Sequence, residues 1–347
     1  MKKQGRTLFD YLDHQAKVSE YKDPLRTLDS YIDWEGFRST IMEGFALVDY
    51  SKGGRPPYDK VMLFKVLVLQ SLYGLSDAQT EFQIADRLTF MRFLGLGLND
   101  NIPDQNTIRG FREALSGKGI LDKLFSVFHG RLESAGLLSR KGSMVDATFV
   151  TAPRQRNSRE ENQALKQGDL PEDWSTKKLR HKDTDADWTK KNGQTYFGYK
   201  NHIKGEIGSK LIMTFEVSPA SVHDSEVLND LLKPEDSGKP LYGDSAYRSE
   251  EREASLAGRK IVSRIHERAY RNKPLSEEQQ QSNRLKSSIR SGVEHIFGWM
   301  HRQGHQLHVR TIGIERALAK ITLLNLTYNM SRAIQIIRSG GRSVSSL

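Results

Sequence analysis

An aspartate stands in the middle of a segment that otherwise has the composition of a β-strand. The segment reads GSMVDATFVTAP, and Asp146 has apolar residues on both sides of it. Glycine and proline at the two ends are typical strand boundaries. Aspartate is a poor strand former, and a buried carboxylate without a partner costs free energy. The segment predicts a strand of a buried sheet whose carboxylate is held either by structural hydrogen bonds or by a cation.

The residues before this segment, 1–135, have the periodicity of helices. Apolar residues recur at helical spacing between Val61 and Leu75. Serine and aspartate residues suited to N-caps, such as Ser76 and Asp104, precede the next periodic stretches. Several short helices of this kind fit either a helix-turn-helix-like module or an ordinary helical bundle.

Strand-like runs alternate with short helical runs after residue 136. Two of them read TYFGYKNHI and KLIMTFEVSPAS. This order predicts a mixed α/β domain over residues 136–335 with a sheet at its centre. Residues 154–193 are dense in charged and amide side chains, which predicts a long exposed or partly disordered insertion. Residues 336–347 are predicted to be a flexible tail.

Positive charge is concentrated in the last quarter of the chain. The formal net charge is +10, and residues 258–347 contain 16 Lys and Arg against 5 Asp and Glu. An excess of this size favours a polyanionic partner such as nucleic acid, with a solvated basic surface as the alternative.

Several classes of protein are disfavoured by what the sequence lacks. It has no cysteine, which excludes disulfides, thiolate catalysis and cysteine-based zinc sites. The N-terminal residues lack the apolar run of a signal peptide. The most apolar stretch, 61–75, is too short to span a bilayer. We therefore expect a cytoplasmic protein without a membrane partner.

Three acidic residues lie among apolar neighbours. Asp146 is in the strand described above, Asp244 follows the short strand PLYG, and Glu294 is in the helical segment IRSGVEHIFGWM. Carboxylates from separate elements can hold the Mg²⁺ ions of two-metal phosphoryl transfer. Each also has a structural alternative. Asp146 could be hydrogen-bonded in place, Asp244 could cap a helix beginning at Ser249, and Glu294 could pair with Arg290 one turn earlier.

Together these motifs resemble the bacterial insertion-sequence transposases of the Asp-Asp-Glu (DDE) type, in particular the IS-five branch. The resemblance covers roughly residues 30–335 and rests on Asp146 in SMVDATFV, Asp244 in DSAY and Glu294 four residues after Arg290. It includes the N-terminal stretches GRPPYDKVMLFKVLVLQSLYGLSDAQTEFQIADRLTFMRFLGL and IPDQNTIRGFREAL.

The resemblance implies an RNase H-like mixed sheet flanked by helices and preceded by an all-helical, DNA-binding domain. It implies a DNA transposase that binds the ends of its insertion sequence. The enzyme would use Mg²⁺, with Mn²⁺ as a substitute, to cleave and transfer DNA strands. Asp146, Asp244 and Glu294 would be its catalytic metal ligands. A metal-dependent nuclease without strand transfer and an inactive DNA-binding derivative are the alternatives.

The implied partners are double-stranded DNA and a second copy of the chain. The DNA would be both the terminal inverted repeats and the target, and the protein would work as a homodimer or larger assembly. The implied location is the bacterial cytoplasm, in association with the nucleoid.

Six polar residues are expected to contact DNA. Lys200 and His202 fall on one face of a predicted strand, with a solvated face as the alternative. His223 precedes a short helix that Asp224 would cap, and the resemblance favours a position near the metals. Where the family often has Lys or Arg, seven residues after the Glu, this chain has His301. The DNA-binding candidates are therefore Lys200, His202, His223, Arg290, His301 and Arg302.

Overall fold

The computed structural model describes residues 20–45, 56–191, 193–270, 274–302 and 307–340, together with Asp13, Ala16, Lys17 and Leu347.

Helices make up the described part of the chain before residue 136. They begin and end at typical signals. Asp59 accepts a hydrogen bond from the Met62 amide at the start of the third helix, and Gly74 ends that helix in the left-handed conformation. The helices are α1 (Pro24–Tyr31), α2 (Arg38–Met42), α3 (Lys60–Tyr73), α4 (Asp77–Asp86), α5 (Leu88–Leu94), α6 (Gln105–Ser116) and α7 (Ile120–Ser134).

A six-stranded mixed sheet follows. Its strands are β1 (Ser143–Thr151), β2 (Asp187–Lys191), β3 (Gln194–Glu206), β4 (Ile212–Pro219), β5 (Pro240–Tyr242) and β6 (Val262–Ser263). β3 pairs antiparallel with β1 on one side and with β4 on the other. β2 also pairs antiparallel with β3, along its first residues. β1, β5 and β6 are parallel. The order β4–β3–β1–β5–β6 is the RNase H-like sheet that the resemblance implies, so the predicted fold class is confirmed.

The remaining helices cover the sheet and its insertion. They are α8 (Arg159–Gln167), α9 (Thr176–Leu179), α10 (Leu228–Leu231), α11 (Glu250–Gly258), α12 (Glu277–Arg290), α13 (Gly292–Arg302) and α14 (Ile314–Gly340). Three of the regular elements, α8, α9 and β2, lie within 154–193. β2 forms because the end of this insertion pairs with β3 in a hairpin. α14 continues to Gly340 with Ile337 buried, into the segment predicted as a tail. Residues 341–346 lie outside the described part of the chain.

One apolar core joins the helical region to the sheet, and α14 runs through it. α14 packs against α3, α7 and β4, and its polar residues are paired as well as buried. Asn325 exchanges amide hydrogen bonds with Asn201 of β3, and Asn329 accepts from the Ile212 amide of β4 at 2.8 Å. These bonds hold the long helix in one position against the sheet. A second, smaller cluster around Val145 and Leu241 lies under α10 and α11.

In the described residues no single helix is long and apolar enough to cross a membrane. The bent pair α3–α4, with 102° between its members, passes the same test of length and composition when taken together.

Candidate active site

The register of the parallel strands β1 and β5 brings two aspartates together at the carboxyl end of β5. We call this place the β1–β5 edge. Met144 of β1 pairs with Tyr242, the last residue of β5. Asp146 and Asp244 each lie two residues beyond this pair. Because parallel strands point in the same direction, both carboxylates leave the sheet at the carboxyl end of β5, where ligands bind in open α/β sheets.

The Asp146 carboxylate is mostly buried, and each of its two oxygens accepts one hydrogen bond. Its Oδ2 accepts a hydrogen bond from Arg290 Nη1 at 2.8 Å, and its Oδ1 accepts from the Ala147 amide at 2.8 Å. Burial, together with the nearby charge of Asp244, raises the pKa of Asp146 to about 6, although the Ala147 amide, Arg290 and Lys191 act in the opposite direction. The site therefore places one carboxylate where its own charge is poorly compensated.

Asp244 begins a short turn instead of the following helix. Its Oδ1 accepts from the Ala246 amide at 2.8 Å and so caps the 3-10 turn Ser245–Tyr247. The next helix is capped by Ser249 itself, so the cap that Asp244 provides belongs to this turn and not to that helix. Gly243 lets the chain pass close to β1, since a Cβ there would lie 3.2 Å from Val145 Cγ2.

Two buried donors beside the aspartates have no hydrogen-bond partner in the described structure. They are the Tyr247 hydroxyl and Arg290 Nε. Burial raises the pKa of Tyr247 well above its usual value, and the charges of Asp146 and Asp244 add to this. The sequence analysis gave Tyr247 no role, although the DSAY motif contains it.

Glu294 lies on an exposed face of α13. The side chains of Val293, Ile296 and Met300 are completely buried, and Glu294, on another face of α13, is exposed. Arg290, considered as its partner, pairs with Asp146 instead. Among the described residues, no hydrogen bond or ion pair joins Glu294 to either aspartate, and no three His, Asp or Glu side chains form a metal-binding group.

The predicted pair on β3 is buried instead of solvated. Lys200 Nζ donates to Asp224 Oδ1 and to the Val222 carbonyl, both at 2.7 Å. His202 Nε2 lies 2.8 Å from Ser218 Oγ, and burial lowers the pKa of His202 to about 4. Both side chains project from the sheet face opposite to Asp146, because they pair with the alternate β1 residues.

Of the remaining DNA-binding candidates, His223 and His301 form no hydrogen bond or ion pair with either aspartate among the described residues. His223 Nδ1 is 2.6 Å from Ser225 Oγ, just before α10. His301 is exposed on α13. Arg302 ends α13, and its side chain lies outside the described residues.

The donor chemistry of the edge fits a hard divalent cation. Asp146 and Asp244 supply carboxylate oxygens, which Mg²⁺ prefers, and one cation, the Arg290 guanidinium, already lies against Asp146 Oδ2. The two unpartnered donors, the Tyr247 hydroxyl and Arg290 Nε, do not bind a cation and are suited instead to the oxygens of an anionic group.

The fold and the paired carboxylates define an RNase H-like protein with an acidic edge suited to phosphoryl transfer. A family model described as Transposase DDE domain matches residues 138–330, and a second one, described as a transposase domain, matches residues 12–114. The chain belongs to the Transposase DDE domain family. It is a DNA transposase, an enzyme of a family that generally depends on divalent metal ions. Its place in the IS-five branch stays a prediction.

Two solved structures are similar to the chain at low sequence identity. One is the cryo-EM structure of a piggyBac transposase synaptic complex with hairpin DNA, at 12% identity and a TM-score of 0.46, with 92% of this chain and 74% of that chain covered. The other is a crystal structure of a pre-cleavage Mos1 transpososome, at 13% identity and a TM-score of 0.25, with 88% and 86% covered.

Proposed function

We propose that this transposase binds the terminal inverted repeats of its insertion sequence and cleaves and joins DNA at the β1–β5 edge. Asp146 and Asp244 would be the ligands of Mg²⁺, or of Mn²⁺ in its place. The observation that carries the proposal is the strand register, since the pairing of Met144 with Tyr242 brings the two carboxylates close enough for the charge of Asp244 to raise the pKa of Asp146.

The protein's own groups have separate tasks in this proposal. Bound divalent ions supply Lewis-acid stabilisation of the attacking and leaving phosphate oxygens. Arg290 neutralises Asp146 Oδ2 and so keeps the two like charges close together. The Tyr247 hydroxyl, fully buried and unpartnered in the described structure, would donate to an oxygen bound at the edge.

Glu294 is proposed as the third carboxylate of the site. It lies two residues beyond the start of α13, and Ser291 separates α13 from α12. A change of backbone angles at Ser291 and Gly292 would turn α13 relative to α12, on which Arg290 contacts Asp146. Joining two DNA ends in concert calls for at least two copies of the chain, and so we propose a dimer or larger assembly.

Metal-dependent cleavage of plasmid DNA tests the assignment. A supercoiled plasmid carrying the element's ends would be incubated with Mg²⁺ and the wild type, Asp146→Asn, or the exposed control Asp169→Asn. We expect cleavage by the wild type and the control, and none by Asp146→Asn, with DNA binding retained by all three.

A second substrate separates cleavage from joining. A duplex with a pre-cut transposon end should be joined to target DNA by the wild type. In the plasmid assay, full cleavage by Asp146→Asn would show that the β1–β5 edge is not the active site. Cleavage without joining would instead favour a nuclease activity.

A further inference from the structure

Arginines from three distant parts of the chain line one cleft. Its walls are α6 of the helical region, the end of α9 in the insertion, and the segment that leads into α14. The cleft has a volume of about 420 Å³. Its charged lining residues are Asp77, Arg109, Arg112, Glu113, Arg180, Arg310 and Arg316.

Two of the five arginines are neutralised within the cleft. Arg112 is buried and donates to Asp77 at 2.7 and 2.8 Å, and Arg316 donates to Glu113 at 3.1 Å. These two pairs leave the charge of the cleft to its other three arginines.

The other three arginines are exposed. Within the part of the chain that the structure describes, Arg109, Arg180 and Arg310 form no ion pair with an acidic side chain. Lys320 lies next to the cleft, and its pKa is lowered first by burial and then by the charge of Arg112. The cleft therefore carries an uncompensated positive charge that favours an anionic ligand.

Guanidinium groups held by separate elements suit a row of phosphates. The planar fork of arginine binds phosphate oxygens in pairs, and double-stranded DNA carries one charge per about 1.7 Å of its axis. Three exposed arginines from three separate elements line this one cleft, and the chain is a DNA transposase, so the phosphate backbone of DNA is the anionic ligand that fits both observations.

The cleft lies beyond the end of the strand that carries Asp146. The Thr151 amide donates to the Leu307 carbonyl and the Val309 amide donates to the Thr151 carbonyl, both at 2.8 Å, so residues 307–309 run parallel to the end of β1. Thr151 is five residues beyond Asp146, and Arg310 follows directly after this pairing. At the rise of a strand, Arg310 lies roughly 20 Å from Asp146 along the direction of β1. A duplex that runs in the direction of β1 would cover this distance with about six base pairs.

We propose that this arginine cleft binds the backbone of double-stranded DNA about six base pairs from the phosphate that reacts at the β1–β5 edge. The inference rests on the proposed function for the position of the reacting phosphate. The cleft itself can be tested by DNA binding alone, without metal and without cleavage.

Salt dependence of binding tests the cleft directly. The probe is a duplex with a transposon end, in EDTA, with full-length wild type, Arg180→Ala/Arg310→Ala, or a control that removes two exposed basic residues outside the helical region and the basic last quarter, Lys141→Ala/Arg159→Ala. Losing two phosphate contacts should lower the slope of log K against log salt by about 1.8 and weaken binding on the order of tenfold or more. The control should keep the wild-type slope. Equal slopes for both double variants would overturn the proposal.

Neutral phosphates locate the contact. A methylphosphonate about six base pairs from the cleavage position should weaken binding of the wild type and not of the cleft variant. A substitution about fifteen base pairs away should act equally on both. Vesicles of anionic lipid serve as a second polyanion. If the cleft variant bound them more weakly than the wild type but kept its DNA binding, the proposal would also be overturned. Because none of these measurements needs catalysis, inactivity at the Asp146 edge and failure of the cleft give different results.

Discussion

Two ion pairs each have one residue at adjacent positions of the β1–β3 ladder. The pairs differ in how exposed they are and in whether all their polar groups have partners. Lys204, opposite Val145, donates to Asp236 at 2.5 Å, and the side chains are 1% and 8% exposed. Asp146, opposite Ile203, accepts from Arg290 at 2.8 Å, and the side chains are 18% and 23% exposed.

The first pair is closed and the second is open. Asp236 also accepts from the Lys233 amide, so its Oδ2 has two donors, and no cation beyond the protein is called for. Beside Asp146, a second carboxylate and two unpartnered donors remain. The difference teaches that burial of a carboxylate is a poor indicator of function. What distinguishes the candidate site is incomplete compensation.

The largest expected effect is a loss of activity without a loss of stability. Asp146→Asn should lower the rate of DNA cleavage by at least about 10³-fold, since it removes charge from the reacting centre. The folded-state pKa of Asp146 is raised from 3.8 to about 6, so ionisation opposes folding above pH 3.8. Removing the charge should therefore leave the unfolding free energy at pH 7 unchanged or about 1 kcal/mol higher. Urea unfolding and plasmid cleavage measure the two quantities, and a large destabilisation would make Asp146 a structural residue.

The closed pair should show the reverse behaviour. Lys204→Met leaves Asp236 buried and unpaired, which should lower the unfolding free energy by about 3–5 kcal/mol. The double variant Lys204→Met/Asp236→Leu removes both charges and should regain most of this loss. Urea unfolding of the two variants and the wild type checks this. A loss below about 1 kcal/mol for the single variant would mean that water reaches the pair.

Local patterns predicted one half of this comparison. The apolar neighbours of Asp146 were enough to place it in a strand, and the PLYG segment was enough to place Asp244 directly after one. That the two lie side by side depends on the pairing of Met144 with Tyr242, which is a long-range contact. No local pattern contains the partner of Lys204, because Asp236 belongs to a turn 32 residues later.

Glu294 shows where a local pattern was used incompletely. Its apolar neighbours were taken as a sign of burial. However, Val293, Ile296 and Met300 are spaced for one buried helix face, and Glu294 falls outside that face. The contact of Arg290 with Asp146 competes with the expected Arg290–Glu294 pair, and only the tertiary structure decides between them. Residues 154–193 were expected to be exposed or partly disordered because their composition is polar, yet β2 forms there through pairing with β3.

A smaller effect is expected from His202, the residue of β3 next to these two positions. His202 is fully buried, and its folded-state pKa is lowered from 6.5 to about 4, so the folded state requires the neutral ring. Its stabilising contribution is complete above pH 6.5 and is lost as the pH falls towards 4. Between pH 7.5 and pH 5 the wild type should lose about 2 kcal/mol more unfolding free energy than His202→Gln.

The test compares how steeply the unfolding free energy changes with pH, and not its absolute value. The reason is that losing the contact with Ser218 shifts the whole His202→Gln curve at every pH. His181→Gln, at an exposed position, serves as the control and should follow the wild-type curve. Parallel curves for His202→Gln and the wild type would show that the ring becomes protonated within the folded protein at little cost.

The smallest effect should come from an ion pair as short as the closed one. Lys123 donates to Glu43 at 2.5 Å, the same distance as in the Lys204–Asp236 pair, but the side chains are 55% and 51% exposed. Water solvates both charges when either partner is removed, so Lys123→Ala should change the unfolding free energy by less than about 0.5 kcal/mol. Added salt should abolish even this difference, whereas it should leave the effect of Lys204→Met almost intact. Similar losses for the two lysine variants would show that distance, and not burial, sets the strength of ion pairs in this protein.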